Sequence, residues 1–172
     1  MASTVQCLNT YYEDRADSRF VQHSRTKFAK QEARALTQRE TATCLVVRSV
    51  ETNAVLATLD IHAPETVSGK PTTGVPEGID TAAYIMNVTV DEDARGQGIA
   101  KLLIDAAAGF AKETWTATCV YVQVAPSNQV AWNLYCTCGF QEASEKDLAA
   151  TDTENKLLRL DLASFSSSIS VI

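Results

Sequence analysis

The order of the apolar segments between residues 82 and 139 restricts the fold of this chain more than any other feature. Residues 82–90 (AAYIMNVTV) have the composition of a β-strand, and Gly98–Lys112 carries apolar residues at helical spacing. A second strand at 118–125 and a second helix that ends at Gly139 follow. Strand, helix and strand in this order predict a βαβ unit with two parallel strands.

The segments on either side of this unit predict a mixed sheet. Residues 43–50 and 55–61 are rich in β-formers, and the short connection between them predicts an antiparallel hairpin. Residues 157–162 predict the last strand, and residues 18–39, which contain no Gly or Pro, predict a helix. The fold class is therefore mixed α/β, with a central, mostly antiparallel sheet of six to seven strands, one parallel βαβ unit and helices on both faces.

The length of the chain limits it to one domain. Its 172 residues, 45% of them hydrophobic, can bury one core. Residues 1–163 are predicted to form that domain, and the Ser-rich residues 164–172 a disordered tail. Residues 62–81 contain three prolines and three glycines and predict a long surface loop. Pro126 and Ser127 predict the end of a strand and the N-cap of the helix that follows.

Charge and cysteine content exclude several classes of partner. The formal charge of −6 disfavours a nucleic-acid partner, which is bound mainly through Lys and Arg, and suits a cationic one. No apolar run approaches the ~20 residues that cross a bilayer, so no membrane partner is predicted. The five cysteines fall mostly in apolar segments and indicate a reducing compartment. Cys136-x-Cys138 lacks the spacing and the second ligand pair of a zinc site, so no metal is predicted.

A glycine-containing turn lies between the predicted strand 82–90 and its helix. In Arg95-Gly96-Gln97-Gly98-Ile99-Ala100, two glycines let the backbone N–H groups point into one concavity. The helix that starts there adds the positive end of its dipole, worth roughly 0.3–1 kcal/mol for an exposed anion. Lys101 stands where the dinucleotide fingerprint needs a third glycine, and the G-K-[ST] of a P-loop is absent. The turn predicts a pyrophosphate site, with an ordinary strand-to-helix turn as the alternative.

A second motif follows the next strand. It reads Asn128-x-x-Ala131-x-x-Leu134-Tyr135-x-x-x-Gly139-Phe140. Asn128 and Tyr135 are seven residues apart, which places them on one helix face, two turns from each other. Each residue also has a purely structural interpretation: Asn128 as a helix cap, Tyr135 as a core aromatic and Gly139 as a C-cap.

Together the two motifs resemble the R-x-x-G-x-[GA] and N-x-x-A-x-x-L-Y-x-x-x-G-F signatures of the GNAT superfamily of N-acetyltransferases. The resemblance covers roughly Cys44–Leu162, and residues 55–103 are similar to the plastid branch of the family. Members of that branch act on lysine side chains and protein N-termini, and some on serotonin-type arylalkylamines. The resemblance implies the GNAT fold, acetyl-CoA as cosubstrate and an amine acceptor.

The resemblance also implies roles for individual residues. Backbone groups of β-strand residues bind the pantetheine arm, the turn holds the pyrophosphate, and the start of the second helix lines the far side of the cleft. Arg95 anchors the turn or adds charge. Tyr135, whose phenol is protonated at pH 7, contacts the cosubstrate and serves as the general acid for the leaving thiolate. The implied cosubstrate-binding residues are Val88, Thr89, Val90, Arg95, Gly96, Gln97, Gly98, Ile99, Ala100, Lys101, Ser127, Asn128, Gln129 and Tyr135.

The general base is left open by the sequence. Many relatives place a glutamate on the strand equivalent to residues 82–90, but here that segment has no carboxylate before Asp91. His62 has a suitable intrinsic pKa. The remaining candidates are Asp60, Glu65 and Glu77.

Acceptor, compartment and assembly stay open as well. Protein lysine or N-terminal α-amine is the favoured acceptor, and a small arylalkylamine or polyamine is the alternative. A non-catalytic acyl-CoA-binding module is the alternative from another class. The resemblance implies location in the plastid stroma, with a transit peptide absent or removed. The cytoplasm is the alternative compartment. The chain is a monomer or a homodimer.

Overall fold

The computed structural model describes residues 3–8, 42–144, 147 and 154–166, the first of these segments as backbone alone. Seven strands lie within these residues: β1 (Ser3–Leu8), β2 (Ala42–Ser49), β3 (Val55–His62), β4 (Ala82–Val90), β5 (Cys119–Val124), β6 (Gln141–Glu142) and β7 (Lys156–Asp161). The helices are α1 (Glu65–Ser68), α2 (Ile99–Trp115) and α3 (Gln129–Thr137), and a 3-10 turn spans Glu92–Ala94.

All seven strands form one sheet in the order β1-β2-β3-β4-β5-β7-β6. β4 and β5 are parallel, and every other neighbouring pair is antiparallel. The predicted hairpin is the β2–β3 pair, and the predicted parallel unit is β4-α2-β5. The mixed, mostly antiparallel α/β fold is therefore confirmed. Strands β1 and β6, at the two edges, were not predicted.

One face of the sheet, which we call the helix face, packs against α2 and α3. The predicted apolar stripe of α2 packs there, with Leu103 fully buried and Leu102 and Phe110 partly buried. The buried surface of α2 is wider than the stripe, because Ala108 and Ala111 are also fully buried and their small side chains let the helix lie close to the strands. Burying one leucine side chain contributes roughly 1.5–3 kcal/mol. This packing fixes the start of α2 relative to the end of β4.

The opposite face, which we call the loop face, is built on Tyr84, Tyr121 and Leu157. Val75 and Ile79 pack against it from the segment that follows β3. The interpretation of residues 62–81 as a surface loop is thus wrong in part. The segment contains the single turn of α1, and its Val75 and Ile79 side chains cover part of the sheet.

Several predicted boundaries and one predicted cap differ from the structure by one to three residues. Helix α2 continues three residues beyond Lys112 and ends where Thr116 adopts a left-handed conformation, with φ of 55°. The prediction that Ser127 caps α3 is wrong: the Asn128 side chain accepts from the Ala131 N–H at 3.1 Å. An amide oxygen one residue later in the chain meets the free N–H groups of the first turn better. Strand β7 begins and ends one residue earlier than predicted.

Two predictions fall on residues outside the described part of the chain. These are the helix over residues 18–39 and, for residues 167–172, the disordered tail predicted over residues 164–172. The first three residues of that predicted tail are described, and Phe165 packs against the core. Among the described residues, none of the helices combines the length and the apolar character that a membrane span requires.

Candidate active site

The parallel strands β4 and β5 separate before either of them ends. Their pairing stops at Ile85 and Val122, yet β4 continues to Val90 and β5 to Val124. The first four residues of β4 are buried and the last five, Met86–Val90, are half-buried. Within the described residues, no strand pairs with these five on the β5 side. We call this opening between the strands the gap. Its β4 edge offers backbone groups to an extended ligand.

A β-bulge bends β4 beside the gap. Asn87 and Val88 together lie opposite the single residue Leu59 of β3. Asn87 has a positive φ of 55°, a conformation that Asn tolerates better than most residues, and its side chain donates to the Asp60 carboxylate at 2.8 Å. A bulge leaves one residue outside the regular ladder. A backbone N–H at this point can therefore serve a ligand in the gap.

The glycine turn that follows β4 forms a concavity of N–H groups. Gly96 and Gly98 have φ of 75° and 76°, which places both in the left-handed region that glycine adopts freely. The first regular bond of α2 runs from Leu102 N to Gly98 O at 3.0 Å. The three N–H groups before it have no partner within the helix, and Gly98 has no side chain to cap them. Such a helix start is an anion site.

Hydrogen bonds hold this turn at both ends. The Arg95 Nε donates to the Val90 carbonyl at 3.3 Å, and its guanidinium lies 3.6 Å from the Glu92 carboxylate. The Gln97 side chain donates to the Asp93 carbonyl at 3.3 Å. Of the two roles predicted for Arg95, the structure shows the anchoring one. Its side chain is 60% exposed, so the positive charge also remains at the mouth of the turn.

Lys101, a predicted cosubstrate-binding residue, pairs with Asp105 one turn further along α2. Lys101 donates a hydrogen bond to the Asp105 carboxylate, and this bond raises the pKa of Lys101. The lysine is therefore charged, but its ammonium is directed along the helix. The backbone N–H of Lys101, rather than its side chain, is the group placed to bind an anion.

The start of α3 lies beyond the end of β5. The Asn128 oxygen is used in the helix cap, and the Gln129 side chain donates to Asn133 at 2.8 Å. Ser127 is exposed. The structure therefore supports the structural interpretation of Asn128 as a cap, which fixes the direction in which α3 leaves the sheet.

Tyr135 lies on the helix face, two turns into α3. Only 6% of its surface is exposed, and its ring packs edge-on against Phe140 with centroids 5.4 Å apart. Burial raises the pKa of Tyr135 above its ordinary value, and the nearby Tyr84 phenol and Cys138 thiol add to the shift. The phenol is therefore protonated throughout the neutral and mildly alkaline range.

The base candidates are dispersed. His62 and Asp60 lie at the end of β3, and His62 is directly opposite Tyr84 of β4. Burial lowers the pKa of His62, and the Asp60 carboxylate opposes that shift. Glu65 begins α1, and Glu77 is exposed in the segment that precedes β4. Of the four, His62 and Asp60 lie on β3, which pairs with β4 on the side away from the gap.

Two polar residues of β4 were missed by the sequence interpretation. Tyr84 lies one residue before the last paired position, and Asn87 forms the bulge. A tyrosine in an apolar strand has the pattern of a core residue. Asn87 is more conspicuous, because an asparagine in the middle of a β-rich run indicates a bulge or a turn.

A cavity of about 610 Å³ lies at the β6–β7 edge and shares no residue with the gap. Its charged groups pair with one another or with neighbours: Lys156 with Glu142 at 2.9 Å, and Arg159 with Asp161 at 3.5 Å. Among the described residues, no cluster of His, Cys, Asp and Glu side chains is large enough to hold a metal ion.

The sequence comparison decides the family. Residues 8–140 match the profile of the acetyltransferase (GNAT) family. The chain belongs to this family. GNAT proteins are acyltransferases that use acyl-CoA, and the gap, the free edge of β4 and the N–H concavity fit such a cosubstrate.

Two plant GNAT proteins are similar in sequence. "GCN5-related N-acetyltransferase 6, chloroplastic" from Arabidopsis thaliana is 28% identical over 87% of this chain and 60% of its own length. "GCN5-related N-acetyltransferase 7, chloroplastic" from the same plant is 32% identical over 58% of this chain and 37% of its own length. This chain thus spans about three fifths or less of these relatives.

The fold is similar to that of solved GNAT structures. Spermidine N-acetyltransferase from Vibrio cholerae, solved in complex with CoA and spermine, superposes with a TM-score of 0.62. The superposition covers 95% of this chain and 97% of that one, at 16% identity. At this level of identity, the similarity shows a shared fold.

Proposed function

We propose that this protein is an acetyl-CoA-dependent N-acetyltransferase that transfers the acetyl group to a primary amine of a protein, at a lysine side chain or an N-terminus. The observation that carries the proposal is the junction of three features at the gap. The unpaired edge of Met86–Val90 ends at the N–H concavity of Gly96–Lys101, and Tyr135 is buried beside the same strands. An extended thioester with a diphosphate at one end fits this arrangement.

The proposed chemistry is a direct attack on the thioester. The neutral amine nitrogen forms a bond to the acyl carbon and the carbon–sulfur bond breaks. The nitrogen loses one proton and the sulfur gains one. The N–H at the bulge polarises the acyl oxygen in the manner of an oxyanion hole. Tyr135, which is protonated before the reaction, gives its proton to the leaving sulfur, and the proton that the amine releases restores the phenol through solvent.

His62 is our proposed base, acting through water. A base must be neutral, and burial lowers the pKa of His62, so its neutral fraction at pH 7 is larger than that of an ordinary histidine. We expect His62→Gln to lower kcat/KM for the amine at least about tenfold at pH 8. The ratio of wild-type to variant kcat/KM should be constant above pH 6.5. Below that pH it should fall towards one, because protonated His62 cannot act as a base.

Glu77→Gln is the matched control, because Glu77 is an exposed candidate in the neighbouring segment. Its activity should equal that of the wild type at every pH. A ratio near one for His62→Gln throughout the pH range would exclude His62 as the base.

The acceptor class is tested with a panel of amines. Thiol release from acetyl-CoA would be measured with peptides bearing free N-termini, lysine peptides blocked at the N-terminus, spermidine and an arylalkylamine, and products would be identified by mass spectrometry. Peptide acetylation at the highest kcat/KM supports the proposal. A higher kcat/KM for a small amine would show that the acceptor is a small amine and not a protein. Acetyl-CoA binding without turnover on any amine would indicate a binding module.

The charge of the chain and the names of the relatives support two further parts of the proposal. A formal charge of −6 favours a cationic acceptor. Both Arabidopsis relatives are named as chloroplastic proteins. We therefore propose the plastid stroma as the compartment, to be checked by imaging of the full-length fluorescent fusion in leaf cells.

A further inference from the structure

The bulge in β4 depends on one residue in an unusual backbone conformation. Asn87 is the first of the two bulge residues and has φ of 55°. A residue with a Cβ is strained in this left-handed region, although asparagine tolerates it better than most. Among the described residues, the bulge has no backbone partner on the β5 side, because β4–β5 pairing ends at Ile85. The conformation of Asn87 is therefore supported by β3 and by β4 itself.

Two hydrogen bonds supply this support. The Asn87 side-chain amide donates to the Asp60 carboxylate of β3 at 2.8 Å, and the Asn87 backbone carbonyl accepts from the Thr89 hydroxyl at 3.3 Å. The first bond is the stronger, because it is shorter and its acceptor is a carboxylate. In the β3–β4 register Asp60 is paired with Met86, the residue directly before the bulge. The Asp60 bond thus ties the first residue of the bulge to the regular ladder beside it.

Asp60 is placed to act on the gap through Asn87 and not by direct contact. Strand β3 pairs with β4 on the side away from the gap. The Asp60 side chain is half-buried, and the Asn87 amide occupies its Oδ2 atom. A carboxylate in this position fixes the strand that borders the gap, whereas a base for the amine has to reach into the gap itself.

We propose that Asp60 is a positioning residue, whose carboxylate holds Asn87 at positive φ and so keeps the N–H of the bulge directed at the acyl oxygen of the thioester. This inference rests on the proposed function, since it concerns the group that polarises that oxygen. A hydrogen-bond donor of this kind is effective when it is fixed, before the reaction, at the place where negative charge develops. Without the carboxylate, Asn87 relaxes towards negative φ and the N–H turns away from the gap.

Two substitutions of Asp60 separate positioning from base catalysis. Asp60→Ala removes the acceptor, and we expect kcat at saturating substrate to fall about tenfold, in keeping with one weakened hydrogen bond to the acyl oxygen. Asp60→Asn keeps an oxygen that accepts a hydrogen bond but cannot take up a proton, so kcat should stay within about threefold of the wild type. The dissociation constant of CoA should be the same in all three proteins. Asp80→Ala is the matched control, because it removes an exposed carboxylate just before β4, and it should leave kcat unchanged.

A rescue experiment tests the link between Asp60 and the backbone of Asn87. Glycine adopts positive φ without strain and needs no side-chain bond to stay there. Adding Asn87→Gly to Asp60→Ala should therefore recover most of the lost kcat, although the melting temperature should not rise. Asn87→Ala removes the other end of the same bond. It should lower kcat about as much as Asp60→Ala does, and combining the two should cause little further loss.

Four results would each overturn the inference: wild-type kcat in Asp60→Ala, an equal loss in Asp60→Asn, no recovery on adding Asn87→Gly, or an equal loss in Asp80→Ala. The second of these would make Asp60 the base. If the wild type acetylates no amine, the proposed function fails and this inference fails with it. Wild-type turnover together with an unaffected Asp60→Ala overturns the inference alone.

Discussion

Replacing Tyr135 with phenylalanine should lower kcat about 100-fold, which corresponds to roughly 2.7 kcal/mol of transition-state stabilisation. The change removes one oxygen and retains the ring, so the edge-on contact with Phe140 remains. The loss is expected because the leaving thiolate would no longer receive a hydrogen bond. Thiol release at saturating substrate measures kcat, and calorimetry should give an acetyl-CoA dissociation constant within about threefold of the wild type.

The pH dependence gives an independent check on Tyr135. A general acid has to be protonated, and burial raises the pKa of Tyr135 above 10. Wild-type kcat should therefore show no decline from this group between pH 8 and 10. If Tyr135→Phe has the kcat of the wild type, Tyr135 is not the general acid. If the substitution weakens only acetyl-CoA binding, Tyr135 has a binding role.

Replacing Gly98 with alanine should weaken acetyl-CoA binding at least about tenfold. At φ of 76°, a side chain is strained by about 1–2 kcal/mol, and the new Cβ would stand in open space at the start of α2, where the diphosphate is expected. The N–H groups would then be both displaced and partly covered. Calorimetric titration with acetyl-CoA measures the effect, and kcat at saturation should change little.

Gly69→Ala is the control for backbone strain. Gly69 has φ of 69°, a Cβ there would meet no described atom within 4 Å, and the residue caps α1 rather than the start of α2. Both variants should lower the melting temperature by a similar amount, but only Gly98→Ala should lose acetyl-CoA affinity. Equal acetyl-CoA binding by the two variants would show that the turn at Gly96–Lys101 does not hold the diphosphate.

The sequence predicted the parts of the fold that depend on local pattern. The β2–β3 hairpin, the apolar stripe of α2 and the parallel βαβ unit follow from periodicity and from the order of segments. The edge strand β6 was missed, because it has only two residues and too little pattern to detect. The segment before β4 was interpreted from its prolines and glycines, which do not show that Val75 and Ile79 pack on the sheet.

The candidate site was predicted where it depends on consecutive residues. The turn at Arg95–Lys101 has the positive φ angles at Gly96 and Gly98 that its sequence suggested. The roles of these residues in binding remain predictions. The position of Tyr84 could not be derived, because it depends on strand register across a long connection and on where β4 and β5 separate. The sequence assigned Asn128 to the cleft, but in the structure its side-chain oxygen caps α3.

A crystal structure of the complex with acetyl-CoA tests the central claim most directly. We expect the diphosphate to accept hydrogen bonds from the N–H groups of Gly96–Lys101 and the pantetheine arm to pair with the free edge of β4. The sulfur should lie within hydrogen-bond distance of the Tyr135 hydroxyl. A complex in which acetyl-CoA binds outside the gap, or in which the Tyr135 hydroxyl points away from the sulfur, would contradict the proposed site and the chemistry derived from it.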